Sequence, residues 1–179
     1  SLADISDRYD ALFVDLWGCV HNGIKAFSSA NESLKKYRYQ GGKVVLVTNS
    51  PRPRSGVEKQ LTKFGVDFEA WDLIATSGDS ARMAMFRGVV GSKIYFIGTP
   101  FEENFFEPLN VVNDPVNIDR VPIDEAEGIV CTGPFSSLED LDVYLPDFEF
   151  AKKRGLKLLC ANPDIIVDRG SVREWCAGC

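Results

Sequence analysis

Two apolar segments near the N-terminus end on polar side chains that could do chemistry. Ala11-Leu-Phe-Val-Asp15 ends on a carboxylate, and Lys43-Val-Val-Leu-Val-Thr48 leads into Asn49 and Ser50. A carboxylate can be a nucleophile or a ligand of a hard cation, and hydroxyl and amide groups can hold an oxyanion. Gly18 would let the backbone approach a ligand closely. Strand ends are also polar simply because loops are, but two such ends together favour a functional interpretation.

These groups would meet only if the two segments are neighbouring parallel strands, and the intervening sequence supports that arrangement. Ser29-x-x-Glu32 and Ser55-x-x-Glu58 have the form of capping boxes and predict two helix starts, and glycines at 41–42 and 65 predict the helix ends. A short strand over Asp72–Ala75 and a helix through Phe86 follow. Alternating strands and helices with nearly all-apolar strands predict a parallel sheet covered on both faces, which binds ligands outside the carboxyl ends of its strands.

A second block of the same kind begins near residue 88. Strands are predicted over Lys93–Ile97, Gly128–Cys131 and Leu156–Cys160, and a loop over Asn110–Asp124. Ser136-x-x-Glu139 predicts the start of a long helical stretch that contains Pro146 and ends at Gly155. The fold class is therefore α/β throughout.

Composition excludes several classes of function. The chain of 179 residues is 45% hydrophobic, enough for one large or two small domains, and its net charge of −6 disfavours nucleic acid and anionic membranes as partners. No apolar run is as long as the about 18 residues that a membrane-spanning helix needs, and the polar N-terminus does not resemble a signal peptide. We expect the five cysteines to be reduced thiols of a cytoplasmic protein. A single histidine excludes a His-rich metal site.

Four segments in order resemble the haloacid dehalogenase-like (HAD) hydrolases, in particular their class IIA branch of p-nitrophenyl-phosphatase-like and pyridoxal-phosphatase-like enzymes. They are Phe13-Val-Asp-Leu-Trp-Gly-Cys-Val20, Val45-Leu-Val-Thr-Asn-Ser50, Leu73-Ile-Ala-Thr-Ser-Gly78 and Cys160-Ala-Asn-Pro-Asp164 with Asp168-Arg-Gly170. The resemblance implies a Rossmann-like parallel-sheet core with an inserted α/β cap domain. Residues 1–87 would form the N-terminal part of the core, and residues 88–179 the cap domain and junction.

The resemblance also implies roles for individual residues. Asp15 would be the nucleophile of an aspartyl-phosphate mechanism and a ligand of Mg²⁺, with the backbone carbonyl of Trp17 as a second ligand. The phosphoryl oxygens would be held by backbone N–H groups near Trp17 and Gly18 and by Thr48, Asn49 and Ser50. The substrate would be a small phosphorylated metabolite that the cap domain selects, and a homodimer through the cap domain is compatible with the resemblance.

Trp17 is the main departure from the family pattern, which has a second aspartate at this position. That aspartate protonates the leaving group and later activates water, whereas an indole N–H can do neither. His21 is a candidate substitute because the ordinary pKa of histidine suits proton transfer. The alternative, which we favour, is that His21 only forms a hydrogen bond in the loop His21-Asn22-Gly23.

The C-terminal half of the family pattern is the second departure. The lysine of the third motif and the acidic fourth motif have no counterpart before Cys179, so we expect a piece of a longer protein that is poorly stable and inactive alone. The alternatives are a HAD-fold binding or scaffold protein without activity, non-phosphatase HAD chemistry of the dehalogenase type, and a receiver-like or redox domain. Asn162 and Asp164 would order the cap–core junction or touch the substrate, and Cys176-x-x-Cys179 is a weak metal or redox candidate.

Overall fold

The computed structural model describes residues 2–99, 103–136, 140–169 and 172–175. Nine strands and four α-helices follow one another in this part of the chain. The order is β1 (Ala11–Asp15), α1 (Ser28–Tyr39), β2 (Lys43–Thr48), α2 (Arg54–Phe64), β3 (Leu73–Thr76), α3 (Ser77–Phe86), β4 (Lys93–Ile97), β5 (Asp119–Arg120), β6 (Gly128–Cys131), α4 (Leu145–Arg154), β7 (Lys157–Cys160), β8 (Ile166–Arg169) and β9 (Val172–Trp175). Short 3₁₀ helices lie at Leu2–Asp4, Ser6–Arg8, Phe68–Ala70, Glu103–Phe106 and Leu141–Tyr144.

The chain divides into two compact units. The first takes in residues 1–48, 54–76 and 168–172, and the second takes in residues 49–53, 77–167 and 173–179. The predicted boundary between a core part and a cap domain, at residues 87 and 88, stays a prediction. No helix in the described part of the chain is both long enough and apolar enough to cross a membrane.

The first unit is built on a three-stranded parallel sheet in the order β1-β2-β3. Successive strand residues point to opposite faces, and Val44, Leu46 and Ile74 are buried on the face that α1 and α2 cover. The opposite face exposes Phe13 (77% exposed) and Leu73 (55%). The sequence predicts cover on both faces, but among the described residues of this unit α1 and α2 both contribute to the same core.

The second unit is built on a four-stranded parallel sheet in the order β5-β4-β6-β7. All four residues of β6 are buried, as expected for a central parallel strand with cover on both faces. One core contains Ile94, Val130 and Phe105, and the other contains Ile97 and Ile129. Strands β8 and β9, which the sequence analysis did not predict, form a separate two-stranded sheet.

The α/β class and the main strands are confirmed, while the helix starts are corrected. Helices α1 and α2 begin at Ser28 and Arg54, so Ser29 and Ser55 lie inside the helices, and Phe27 caps α1 without a side-chain hydrogen bond. The helix predicted from residue 136 begins only at Leu145. Pro146 therefore stands in its first turn, where a missing N–H costs nothing, and Gly155 ends it with φ +67°.

Two smaller predictions differ from the structure, and two motifs lie outside the described residues. The loop predicted over Asn110–Asp124 contains the two-residue strand β5, which is too short to show an apolar pattern. The expectation of five reduced cysteines is wrong for Cys160, which is disulfide-bonded, while Cys19 and Cys131 are free. Glu139 and the Cys176-x-x-Cys179 pair lie outside the described residues.

Candidate functional site

Asp15 and Thr48 are the last residues of two neighbouring parallel strands. Asp15 ends β1 and pairs with Val47 in β2, and Thr48 is the next residue of β2 and pairs with Thr76 in β3. The Asp15 side chain is exposed and Thr48 is half-buried. An exposed carboxylate and a hydroxyl residue thus lie at the carboxyl edge of the sheet, where parallel sheets bind their ligands.

The chain turns sharply after Asp15. The carbonyl oxygen of Leu16 accepts hydrogen bonds from the N–H groups of Val20 (2.9 Å) and His21 (3.1 Å), and Gly18 has φ +75°, in the left-handed region that favours glycine. A Cβ atom added at Gly18 would meet nothing within 4 Å, so the backbone is open to a ligand there. The Gly18 N–H already donates to the carbonyl oxygen of His21 at 2.8 Å. Donation from Gly18 to a phosphoryl oxygen stays a prediction that would require this hydrogen bond to be shared or exchanged.

Trp17 covers the turn that follows it. Its indole lies edge-on to the His21 ring, with centroids 5.6 Å apart, and against Gly23, where an added Cβ would stand 2.3 Å from the Trp17 Cη2 atom. Gly23 has φ +82° and is therefore needed both for its backbone conformation and for its lack of a side chain. Trp17 is 38% exposed. The position that carries an acid–base carboxylate in the family pattern therefore holds a packing residue here.

His21 is buried and serves as a hydrogen-bond acceptor in its own loop. It is 2% exposed, its Nδ1 accepts the N–H of Gly23 at 3.1 Å, and its ring packs edge-on to Phe64. Burial lowers the pKa of His21, and the nearby Asp15 carboxylate offsets this only in part. An imidazole that accepts at Nδ1 carries its proton on Nε2 and is neutral. This is the loop hydrogen bond that our favoured alternative expects, and a role in proton transfer stays a prediction.

Asn49 and Asp164, which the sequence places 115 residues apart, meet in the second unit. The Asn49 Nδ2 atom donates to the Asp164 Oδ2 atom at 2.7 Å. The backbone N–H of Asp164 in turn donates to the Oδ1 atom of Asn162 at 3.0 Å, and Asn162 is 7% exposed. Two predicted site residues from different motifs are therefore joined by a direct side-chain contact.

Ser50 joins the same segment to the start of α3. Its carbonyl oxygen accepts the N–H of Gly78 at 3.0 Å, and its Oγ atom accepts the N–H of Arg52 at 3.3 Å. A Cβ atom added at Gly78 would stand 2.1 Å from the Pro51 carbonyl oxygen, so only glycine fits there. The structure thus shows Ser50 ordering its own loop, and its predicted contact with phosphate stays a prediction.

The available oxygen ligands suit a cation that takes few ligands from protein. Mg²⁺ is usually bound by one or two carboxylates together with water and substrate phosphate. Asp15 supplies one exposed carboxylate at the strand end. Over the described residues, no group of three or more His, Cys, Asp or Glu side chains could hold a metal. Asp15 therefore fits as one ligand in an open site.

Sequence reasoning missed two contacts in this region. The contact of Gly23 with the Trp17 indole was not predicted, although the dipeptide Asn22-Gly23 is a turn signal. The pairing of Asn49 with Asp164 has no local signal at all, because the two residues follow different strands in distant parts of the chain.

A family model described as haloacid dehalogenase-like hydrolase matches residues 12–111. The chain is 40% identical to the crystal structure of a hydrolase of the haloacid dehalogenase-like family from Brucella suis 1330, with a TM-score of 0.88, over 99% of this chain and 65% of that chain. No curated protein matches the chain.

Two more distant solved structures share the fold. The p-nitrophenyl phosphatase from Archaeoglobus fulgidus is 23% identical, with a TM-score of 0.63, over 94% of this chain and 61% of that chain. A glycerol phosphate phosphatase from Mycobacterium tuberculosis in complex with magnesium is 20% identical, with a TM-score of 0.67, over 97% of this chain and 50% of that chain. The chain therefore spans between half and about two thirds of the length of these three structures.

Proposed function

Because the chain belongs to the haloacid dehalogenase-like hydrolase family, we propose that the protein hydrolyses small phosphomonoesters with Mg²⁺ through an aspartyl-phosphate intermediate. The observation that carries this proposal is the exposed carboxylate of Asp15 at the end of β1, directly beside the end of β2 at Thr48. Two of the proteins that share the fold are phosphatases, which supports phosphoester chemistry over other hydrolase chemistry.

Asp15 performs the first chemical step. One oxygen of its carboxylate forms a bond to phosphorus while the bond from phosphorus to the leaving-group oxygen breaks, and the leaving-group oxygen takes a proton from solvent. In the second step water attacks phosphorus, the bond between phosphorus and the Asp15 oxygen breaks, and a proton of the attacking water passes to solvent. This releases inorganic phosphate and regenerates the carboxylate. Thr48 and Asn49 hold the phosphoryl oxygens by donating hydrogen bonds where negative charge develops.

The divalent cation neutralises charge on the phosphate when it is bound. The Asp15 carboxylate and the backbone carbonyl of Trp17 are the ligands that this part of the chain contributes. The phosphatase from Mycobacterium tuberculosis that shares the fold was solved with magnesium and also with calcium. These two structures support a divalent cation, and the identity of that cation as Mg²⁺ belongs to the proposal.

Proton transfer is the weak part of this site. Trp17 offers no group that exchanges a proton at neutral pH, and His21 is buried with a lowered pKa and an Nδ1 atom that already accepts a hydrogen bond. General acid–base catalysis typically contributes about 10²–10⁴ in rate. We therefore propose that turnover is slow with substrates whose leaving group needs a proton.

A second candidate function follows from the same residue. Trp17 packs on Gly23 where the family pattern has a carboxylate. The alternatives are therefore a HAD-fold binding protein that holds a phosphorylated ligand without hydrolysing it, and a HAD hydrolase with non-phosphatase chemistry.

For the phosphatase, we propose that the substrate is a small phosphorylated metabolite selected by the cap domain. We also propose that the protein is cytoplasmic and forms a homodimer through the cap domain.

The test is a phosphatase screen of the full-length gene product that contains this chain, with and without Mg²⁺. Asp15→Asn keeps the size of the side chain but removes the nucleophile, so turnover should fall below detection. Asp10→Asn is the matched control, because it makes the same change at the residue before β1 and should leave turnover unchanged. Absence of metal-dependent turnover on every phosphoester, or turnover that survives Asp15→Asn, would refute the phosphatase proposal.

A further inference from the structure

The contact between Asn49 and Asp164 joins the segment after β2 to the segment after β7. The donor is the Asn49 Nδ2 atom and the acceptor is the Asp164 Oδ2 atom, 2.7 Å apart. A hydrogen bond to an ionised carboxylate at this distance is stronger than a neutral one. The orientation of the amide is determined by chemistry, because an ionised carboxylate only accepts and its partner must be the NH₂ group.

Asp164 is itself held in place. Its backbone N–H donates to the Oδ1 atom of Asn162 at 3.0 Å, and the Asn162 side chain is buried. Pro163, between the two residues, restricts the backbone of the segment further. The carboxylate of Asp164 therefore starts from a well-defined backbone and can hold another side chain in one orientation.

We propose that Asp164 is a positioning residue that orients the Asn49 carboxamide for phosphate binding. The carboxamide has two N–H donors and one acceptor oxygen. When Asp164 takes one N–H, the second N–H remains for a phosphoryl oxygen, and the amide cannot turn its own oxygen toward the anion. This inference rests on the proposed function of Asn49 as a phosphate-binding residue and adds the residue through which that function is set.

Because Asp164 is negatively charged, the direction in which phosphate affinity changes when it is removed tests the proposal. A phosphate bound by Asn49 would be repelled by the carboxylate that is hydrogen-bonded to the same amide, so removal of this charge by itself should strengthen phosphate binding. If Asp164 acts by orienting Asn49, its removal should instead weaken binding, because the amide then also samples the orientation that presents its oxygen. The two effects oppose each other, and the direction of the measured change separates them.

The experiment measures binding of inorganic phosphate by calorimetry, with Mg²⁺ present, to the full-length gene product and its variants. We expect Asp164→Ala to bind phosphate about three- to tenfold more weakly, the size of a partly lost hydrogen bond to a charged group. Asp164→Asn, which keeps an acceptor oxygen, should recover part of the loss. Asp147→Ala is the matched control, because Asp147 accepts the hydroxyl of Tyr95 at 2.6 Å in the same unit, and its removal should not change phosphate affinity.

Two further measurements keep the proposal falsifiable. In the background of Asn49→Ala, the additional change Asp164→Ala should no longer weaken phosphate binding, because Asp164 orients the amide only through Asn49 and its loss then only removes a negative charge. The side-chain NH₂ signals of Asn49 in an ¹⁵N–¹H spectrum should shift in Asp164→Ala and stay unchanged in Asp147→Ala.

The outcomes also separate this inference from the proposed function. Unchanged or tighter phosphate binding by Asp164→Ala overturns the inference alone, and so does an equal loss in the Asn49→Ala background. Failure of the parent protein both to bind phosphate and to turn over any phosphoester overturns the proposed function and the inference together.

Discussion

Replacing Trp17 by aspartate tests whether this one side chain limits catalysis. Aspartate at this position would restore the carboxylate of the family pattern, two residues after the proposed nucleophile Asp15. The expected gain in kcat is about 100-fold, at the lower end of the range of about 10²–10⁴ for general acid–base catalysis, because the surrounding loop is built for an indole. The gain should be larger for an alkyl phosphate than for p-nitrophenyl phosphate, since p-nitrophenolate leaves readily without a proton.

The same substitution has a cost in stability that can be worked out from the contacts of the indole. Trp17 is 38% exposed, so roughly three fifths of its surface is buried on Gly23 and His21. For a side chain of at most about 250 Å², this is about 150 Å² and at most about 4 kcal/mol at about 25 cal/mol per Å². Because the unfolded chain already buries part of this area, we expect a loss of about 2–3 kcal/mol in the free energy of unfolding.

Trp17→Asn is the control that separates the two effects. It has the size of aspartate and loses the same packing, but it has no titratable carboxyl group. The assay compares kcat of the two variants on an alkyl phosphate, at a temperature where denaturant titration shows both to be folded. If Trp17→Asp and Trp17→Asn turn over at the same rate within about threefold, the reasoning that Trp17 limits proton transfer is refuted.

Three further predictions concern other contacts of the first unit. Arg38 donates to both carboxylate oxygens of Asp72, at 2.9 and 3.0 Å, and lowers the pKa of that carboxyl. Asp72→Ala should lower the free energy of unfolding, measured in urea at pH 7, by about 2–3 kcal/mol. The stabilisation by the Asp72 carboxylate should be full above a pH of about 4 and be lost as the pH falls through its lowered pKa in the folded state. An equal cost of the substitution at low pH would contradict this prediction. Gly23→Ala should cost about 2 kcal/mol, because φ is +82° and the new methyl group would meet the Trp17 indole, and it should shift the tryptophan fluorescence; an unchanged melting temperature and spectrum would argue against the packing described. Burial lowers the pKa of His21, so the unfolded chain takes up this proton at higher pH than the folded chain does, and stability should fall as the pH drops below about 6.5. His21→Gln should flatten this dependence in pH-resolved thermal melts, and a slope identical to that of the parent would count against the assignment.

The sequence by itself determined six of the nine strands, all except β5, β8 and β9, and the nucleophile candidate. Apolar runs such as Ala11–Asp15 and Lys43–Thr48 are strands in the structure with the same bounds, because burial on one or both faces imposes a pattern that is visible over a few residues. The family could also be recognised from the sequence, since its motifs are short and continuous. Helix starts were less predictable, because Ser29 and Ser55 match a capping pattern that neighbouring residues can displace by one position.

Only the tertiary structure decided which side chains Trp17, His21 and Asn49 contact. The indole of Trp17 lies on Gly23 and the His21 imidazole accepts a hydrogen bond, so both side chains are held within one turn. Asn49 finds its acceptor in Asp164, 115 residues further along the chain. Local sequence cannot encode such a pairing, because it depends on where separate strands end in space. Residue types therefore restricted the chemistry proposed for Asp15, and the fold determined the contacts that each of these side chains makes within its own unit.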